Sequence, residues 1–130
     1  MKYLLTLLLF VSIFSHAEKV LYCQTELGTG IGLNNKRYIT SNIDNQRLTI
    51  KFNDDFSKLA GLGVKEYVCD KNFPHTSETL TCLSTEFMGD SFTYNPKNNR
   101  FYYVVLTPGG YIEPYSSDTP ALFAGTCQNF

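Results

Sequence analysis

The stretch "QRLTIKFN" alternates cleanly: Leu48, Ile50 and Phe52 fall on one side, Arg47, Thr49 and Lys51 on the other. Period two with a single apolar face predicts a half-buried antiparallel strand. "KVLYCQTE" repeats the pattern, with Leu21, Cys23 and Thr25 opposed to Val20, Tyr22 and Gln24. Shorter strands are expected at "RYITS", "VKEYVC" and "TLTCLS". "SFTYNPKNNRFYYVVL" reads as a hairpin joined at "NPKNN", where Pro96 after Asn95 suits a type I turn. In "RFYYVV" one face takes Phe101, Tyr103 and Val105 and the other Tyr102 and Val104. Phe is buried more often than Tyr, so the Phe101 face is expected inward. "ALFAGTCQ" supplies a closing strand.

Between these runs lie the breakers. "LGTGIGLNNK" carries Gly28, Gly30 and Gly32 with two Asn, and predicts a loop or bulged connection whose glycines occupy left-handed bend positions. "DDFSKLAGLG" fits either a helical turn capped by Asp54 and ended by Gly61, or a turn between strands. "DKNFPHTSE" and "TPGGYIEPYSSDTP" read as irregular surface segments. Seven or eight short strands at this turn spacing predict an all-β fold, a small antiparallel barrel or sandwich.

The N-terminus sets the compartment. "MKYLLTLLLFVSIFSHA" has Lys2, an apolar run from Tyr3 to Phe14, and small residues at Ser15 and Ala17. This is the order of a secretory signal peptide, and the run is shorter than the roughly 20 residues of a membrane anchor. Residues 1–17 are therefore expected to be removed, leaving one domain over 18–130, exported to the periplasm or secreted. Cys23 follows "KVLY", without the small residues that precede a lipidated Cys. A chain ending in Phe130 also invites comparison with outer-membrane barrels. Counting back by twos gives Gln128, Thr126, Ala124 and Leu122, too polar for lipid, and charges like Arg47 and Lys51 are costly in hydrocarbon. A soluble domain with no membrane span in the mature chain is expected, with Phe130 packed over a barrel end.

All four cysteines (Cys23, Cys69, Cys82, Cys127) lie in the exported part. An even count in an oxidising compartment predicts two disulfides. Of three possible connectivities, Cys23–Cys127 with Cys69–Cys82 is favoured, because first and last strands of a small closed sheet commonly meet. No C-x₂-C spacing exists and His75 is the only histidine outside the signal segment, so no metal site is expected. With 11 basic against 12 acidic residues, and no basic stripe, there is no electrostatic reason to expect nucleic acid. The chain has nine Tyr, ten Phe and no Trp, which favours strands.

"GDSFTYNPKNNRFYYVVL", "YCQTELGTGIGLNNKRY" and the ending "GTCQNF" resemble small exported, cystine-containing bacterial proteins that close on G-T-C-x-x-F. The resemblance implies a disulfide-tied β fold and carries over no catalytic residue.

Candidate chemistry is sparse. His75 has Asp70, Ser77 and Glu78 nearby, but neighbours on one loop do not make a triad, which is assembled from distant segments. Asp54 and Asp55 are expected to be turn residues, since no D-x-D-x-D-G loop is present. "GTGIG" lacks the strand-to-helix context and following Lys of a phosphate loop. The aromatic cluster is more suggestive. Exposed Tyr102, Tyr111 and Tyr115 on a β scaffold would bind a partner or small ligand, whereas buried rings would fill a Trp-free core. The expected function is a small exported binding module, either a ligand carrier or an inhibitor of a secreted or envelope protein, needing no cofactor. The alternative is a structural or interaction protein of the envelope without a small ligand. A hydrolase using His75 ranks third.

Overall fold

The computed structural model describes residues 18–63, 65–70, 78–86, 89–106 and 119–129. These form nine strands and no helix: β1 (Lys19–Asn34), β2 (Arg37–Asn42), β3 (Arg47–Phe52), β4 (Lys58–Ala60), β5 (Tyr67–Asp70), β6 (Leu80–Ser84), β7 (Ser91–Asn95), β8 (Arg100–Val105) and β9 (Ala121–Asn129). Every pairing is antiparallel, in the order β2-β1-β3-β4-β5-β6-β7-β8-β9, and β1 also pairs with β9. Eight strands thus close into an up-and-down barrel, the barrel alternative of the two expected, and β2 is added to the upper half of β1. Four strands run up and four down. One rim carries the β3–β4 and β7–β8 turns, and the other carries the β1–β2 hairpin.

The alternation read from the sequence decides what lies inside. Leu21, Cys23 and Thr25 of β1 are buried, and so are Ile50 and Phe52 of β3, with Leu48 packed against them. Phe101 is 2% exposed while Tyr102 is 60% exposed, so the register of β8 is as expected. Tyr103 packs on the core, whereas Val105, expected inward, is only half-buried at the strand's end, like Val104. An eight-stranded barrel is just wide enough for side chains to fill it. Here the filling is aromatic. Phe101 stacks on Phe92 at 5.3 Å, Phe92 meets Tyr103 at 6.4 Å, and Tyr103 stacks on Phe123 at 5.9 Å. A second group joins Phe56, Phe52 and Tyr94. Most rings among the described residues therefore serve as core in place of the missing Trp.

Both disulfides form as expected. Cys23 lies opposite Cys127 on β1 and β9, and Cys69 opposite Cys82 on β5 and β6. The first strand is bonded to the last.

Two segments depart from the sequence reading or resolve it. "LGTGIGLN" is not a loop but the upper half of β1, which continues past a bulge between Thr25 and Leu27. Gly28, Gly30 and Gly32 are not among the positive-φ residues. Two of them are small because the chain packs tightly there: a Cβ on Gly28 would lie 2.8 Å from the Ile43 carbonyl oxygen, and one on Gly30 2.6 Å from Thr119. The reversal comes later, at Asn35 and Lys36, both left-handed (φ 47° and 64°), as a two-residue type I′ hairpin requires. "DDFSKLA" is a turn followed by β4 and contains no helical turn. Asn53 holds it together, its Oδ1 accepting the Lys58 N–H and its Nδ2 donating to the Ser57 hydroxyl. Gly125 marks the tightest approach between β9 and the bulged β1, since a Cβ there would meet the Gln24 carbonyl oxygen at 2.0 Å.

Candidate functional site

The register sets one outward row across four strands. Thr93 of β7 lies opposite Tyr102 of β8, Tyr102 opposite Ala124 of β9, and Ala124 opposite Leu27 of β1. With a Thr and an Ala as its cross-strand neighbours, the Tyr102 ring stands clear of the wall. The bulge has a local effect. Thr25 and Gly28 are both buried, and the two residues between them, Glu26 and Leu27, are both exposed. A bulge re-aims side chains in this way where one extra residue must be fitted.

Below this row lies an open groove of about 440 Å³, lined by Tyr102, Arg100, Asn95, Asn98, Thr126 and Glu26, with Thr79 and Thr93 at one side. Several of its polar groups are already held. The Thr126 hydroxyl donates to Glu26 Oε1 at 3.2 Å. Asn95 Oδ1 accepts the Lys97 N–H at 2.9 Å, and Asn98 Oδ1 accepts the Arg100 N–H at 3.0 Å. The turn that carries them is pinned to the barrel. Left-handed Asn99 accepts the Tyr94 hydroxyl at 2.9 Å through Oδ1, and its carbonyl accepts the Cys127 N–H at 2.8 Å.

Of the expected binding residues, Tyr102 stands in this groove. Tyr111 and Tyr115 lie outside the described residues, as do His75, Ser77, Phe130 and the segment 1–17. The Glu78 carboxylate, expected near His75, accepts from Lys97 at 3.1 Å. Asp54 and Asp55 are turn residues: Asp54 Oδ1 accepts the Asp55 N–H, and Asp55 Oδ1 the Ser57 N–H. The hydrogen bonds from Ser57 hold the Asp55 carboxyl below its ordinary range. Among the described residues no three His, Cys, Asp or Glu side chains come together as a metal site, and no helix is long and apolar enough to cross a membrane.

Sequence reasoning missed one buried charge. Asp90, wholly buried, accepts the Leu106 N–H at 2.7 Å through Oδ1 and pairs through Oδ2 with Lys65. It ties together three segments at the hairpin-bearing rim. Asp90 immediately precedes β7, a position that reads as an ordinary turn residue, so nothing local announces its burial. Burial, then the neighbouring Tyr103 hydroxyl and the Asp90 carboxylate, push the Tyr67 phenol above its usual value, and burial alone raises Tyr94. Both phenols stay protonated in the fold at pH values where an unfolded chain, ionising near 10, has lost those protons. Their contribution is complete below pH 10 and is lost above it, at up to about 1.4 kcal/mol per pH unit for each phenol. Urea unfolding between pH 9 and 11.5 is expected to show this fall, with a shallower slope in Tyr67→Phe. A flat profile refutes it.

No protein-family model matches the chain, and no curated protein matches it in sequence.

Proposed function

We propose that the protein is an exported binding module that works through its outer wall rather than its interior. The observation that carries this reading is a contrast. Ile50, Phe52 and Phe92 fill the barrel at 0% exposure, while Tyr102 projects from the wall at 60% beside a groove with pre-held polar groups. A filled interior leaves little room for a ligand carried inside, so ligand or partner would be met on the outer wall. Exposed Tyr on a rigid strand is a good contact residue, because it offers ring area and a hydroxyl for little lost freedom. The signal-like segment 1–17 and two disulfides accord with export to the periplasm or medium.

Chemical crosslinking in the exported fraction tests this. Tyr102→Ala is expected to lose a crosslinked species that Tyr22→Ala retains, Tyr22 being a second exposed tyrosine outside the groove. Equal effects of the two substitutions, on crosslinked species and on small-ligand contact alike, would refute the reading.

A further inference from the structure

We infer that the groove beside Tyr102 takes a neutral oligosaccharide, an assignment that rests on the binding-module reading and names its ligand class. The first reason is the floor. β7, β8, β9 and β1 each have a strand on both sides, so their amides and carbonyls are committed to the ladder. An added peptide strand would find no edge to pair with here. The second is the lining. The lining sets the apolar side chains of Tyr102, Leu27 and Ala124 among hydroxyl, amide and charged groups. That mixture suits a ligand with apolar C–H faces and many hydroxyls better than an acyl chain. The ring face of Tyr102 carries the negative side of its quadrupole, which attracts the polarised C–H groups of a pyranose.

The third reason is charge and preorganisation. Glu26 and Arg100 offset one another, so the groove favours a ligand without net charge. Thr126 orients Glu26, and the turn's own N–H groups fix the amide planes of Asn95 and Asn98, leaving each Nδ2 to donate. Donors and acceptors held in place before binding lose little freedom when a hydroxyl arrives. From Thr79, beside β6, to Glu26 on β1 the groove crosses four strand spacings, about 19 Å at roughly 4.8 Å each, which suits several linked sugars rather than one.

Saturation-transfer NMR on the purified protein, with chitotriose, cellotriose and maltotriose at millimolar concentration, reads this contact directly. Transfer to at least one trisaccharide is expected, about tenfold weaker or more in Tyr102→Ala, retained in Tyr102→Phe, and unchanged in Tyr22→Ala. No transfer to any of the three, or transfer indifferent to Tyr102→Ala, overturns the assignment. The two readings fail separately: a crosslinked partner that depends on Tyr102, with no sugar contact, refutes the oligosaccharide and leaves a protein-binding module standing.

Discussion

Phe101→Ala is expected to lower the stability of the barrel by about 3–5 kcal/mol, while Tyr102→Ala, one residue on, changes it by less than about 1 kcal/mol. The asymmetry follows from the strand's period of two. Phe101 is 2% exposed and stacks on Phe92 at 5.3 Å, so truncation leaves a cavity that the surrounding rings, fixed by a closed wall, cannot collapse to fill. Tyr102 is 60% exposed and has a Thr and an Ala as cross-strand neighbours, so its loss removes little packing. Against a total stability of roughly 5–15 kcal/mol, the first variant approaches the unfolding threshold and the second does not. Thermal melts of the two proteins suffice. A Tyr102→Ala variant that unfolds beside a silent Phe101→Ala would mean the register of β8 is off by one residue.

Removing the Cys23–Cys127 bond, by Cys23→Ala with Cys127→Ala, is expected to cost more than removing Cys69–Cys82 in the same way. In the chain-entropy account a cross-link stabilises by restricting the unfolded chain, and the restriction grows with loop size. The outer pair is separated by 104 residues and the inner by 13. The corresponding losses are about 4.7 and about 3 kcal/mol. Because the outer link also keeps the unfolded chain compact, its removal should steepen the urea dependence of unfolding, which reports the surface newly exposed. Equal midpoints and equal slopes for the two double variants would show that chain restriction is not how these bonds act here.

The parts of this fold that were legible in the sequence are those where a single local pattern had one physical meaning. Leu48, Ile50 and Phe52 alternate with charges, and only a half-buried strand accommodates that. Asn95-Pro96 marks its turn, and an even number of cysteines behind a segment that reads as a signal peptide points to cross-links. What was not legible depends on distant neighbours. Gly28 and Gly30 look like bend residues until Ile43 and Thr119 are seen pressed against them. The bulge that exposes both Glu26 and Leu27 arises from fitting β1 against β9, a strand about a hundred residues later. The groove itself was visible only in part. Tyr102 and Arg100 could be placed outward from their shared period, but Glu26 and Thr126 reach the groove only through the closure of the barrel.

That closure also orders events in time. Of the wall strands, β1 is made before all the others and its partner β9 after them, while every other wall pairing joins neighbours along the chain. The six wall pairings from β1–β3 to β7–β8 can form as the chain lengthens, since each joins strands adjacent along the wall. The two pairings of β9 must wait until that strand has been made, and until then β1 and β8 present open edges that invite mispairing. A molecule missing its last strand would therefore be an unclosed sheet rather than a slightly smaller barrel. If the chain is exported as proposed, this dependence is useful, because a precursor still threading through a membrane pore cannot finish folding on the wrong side.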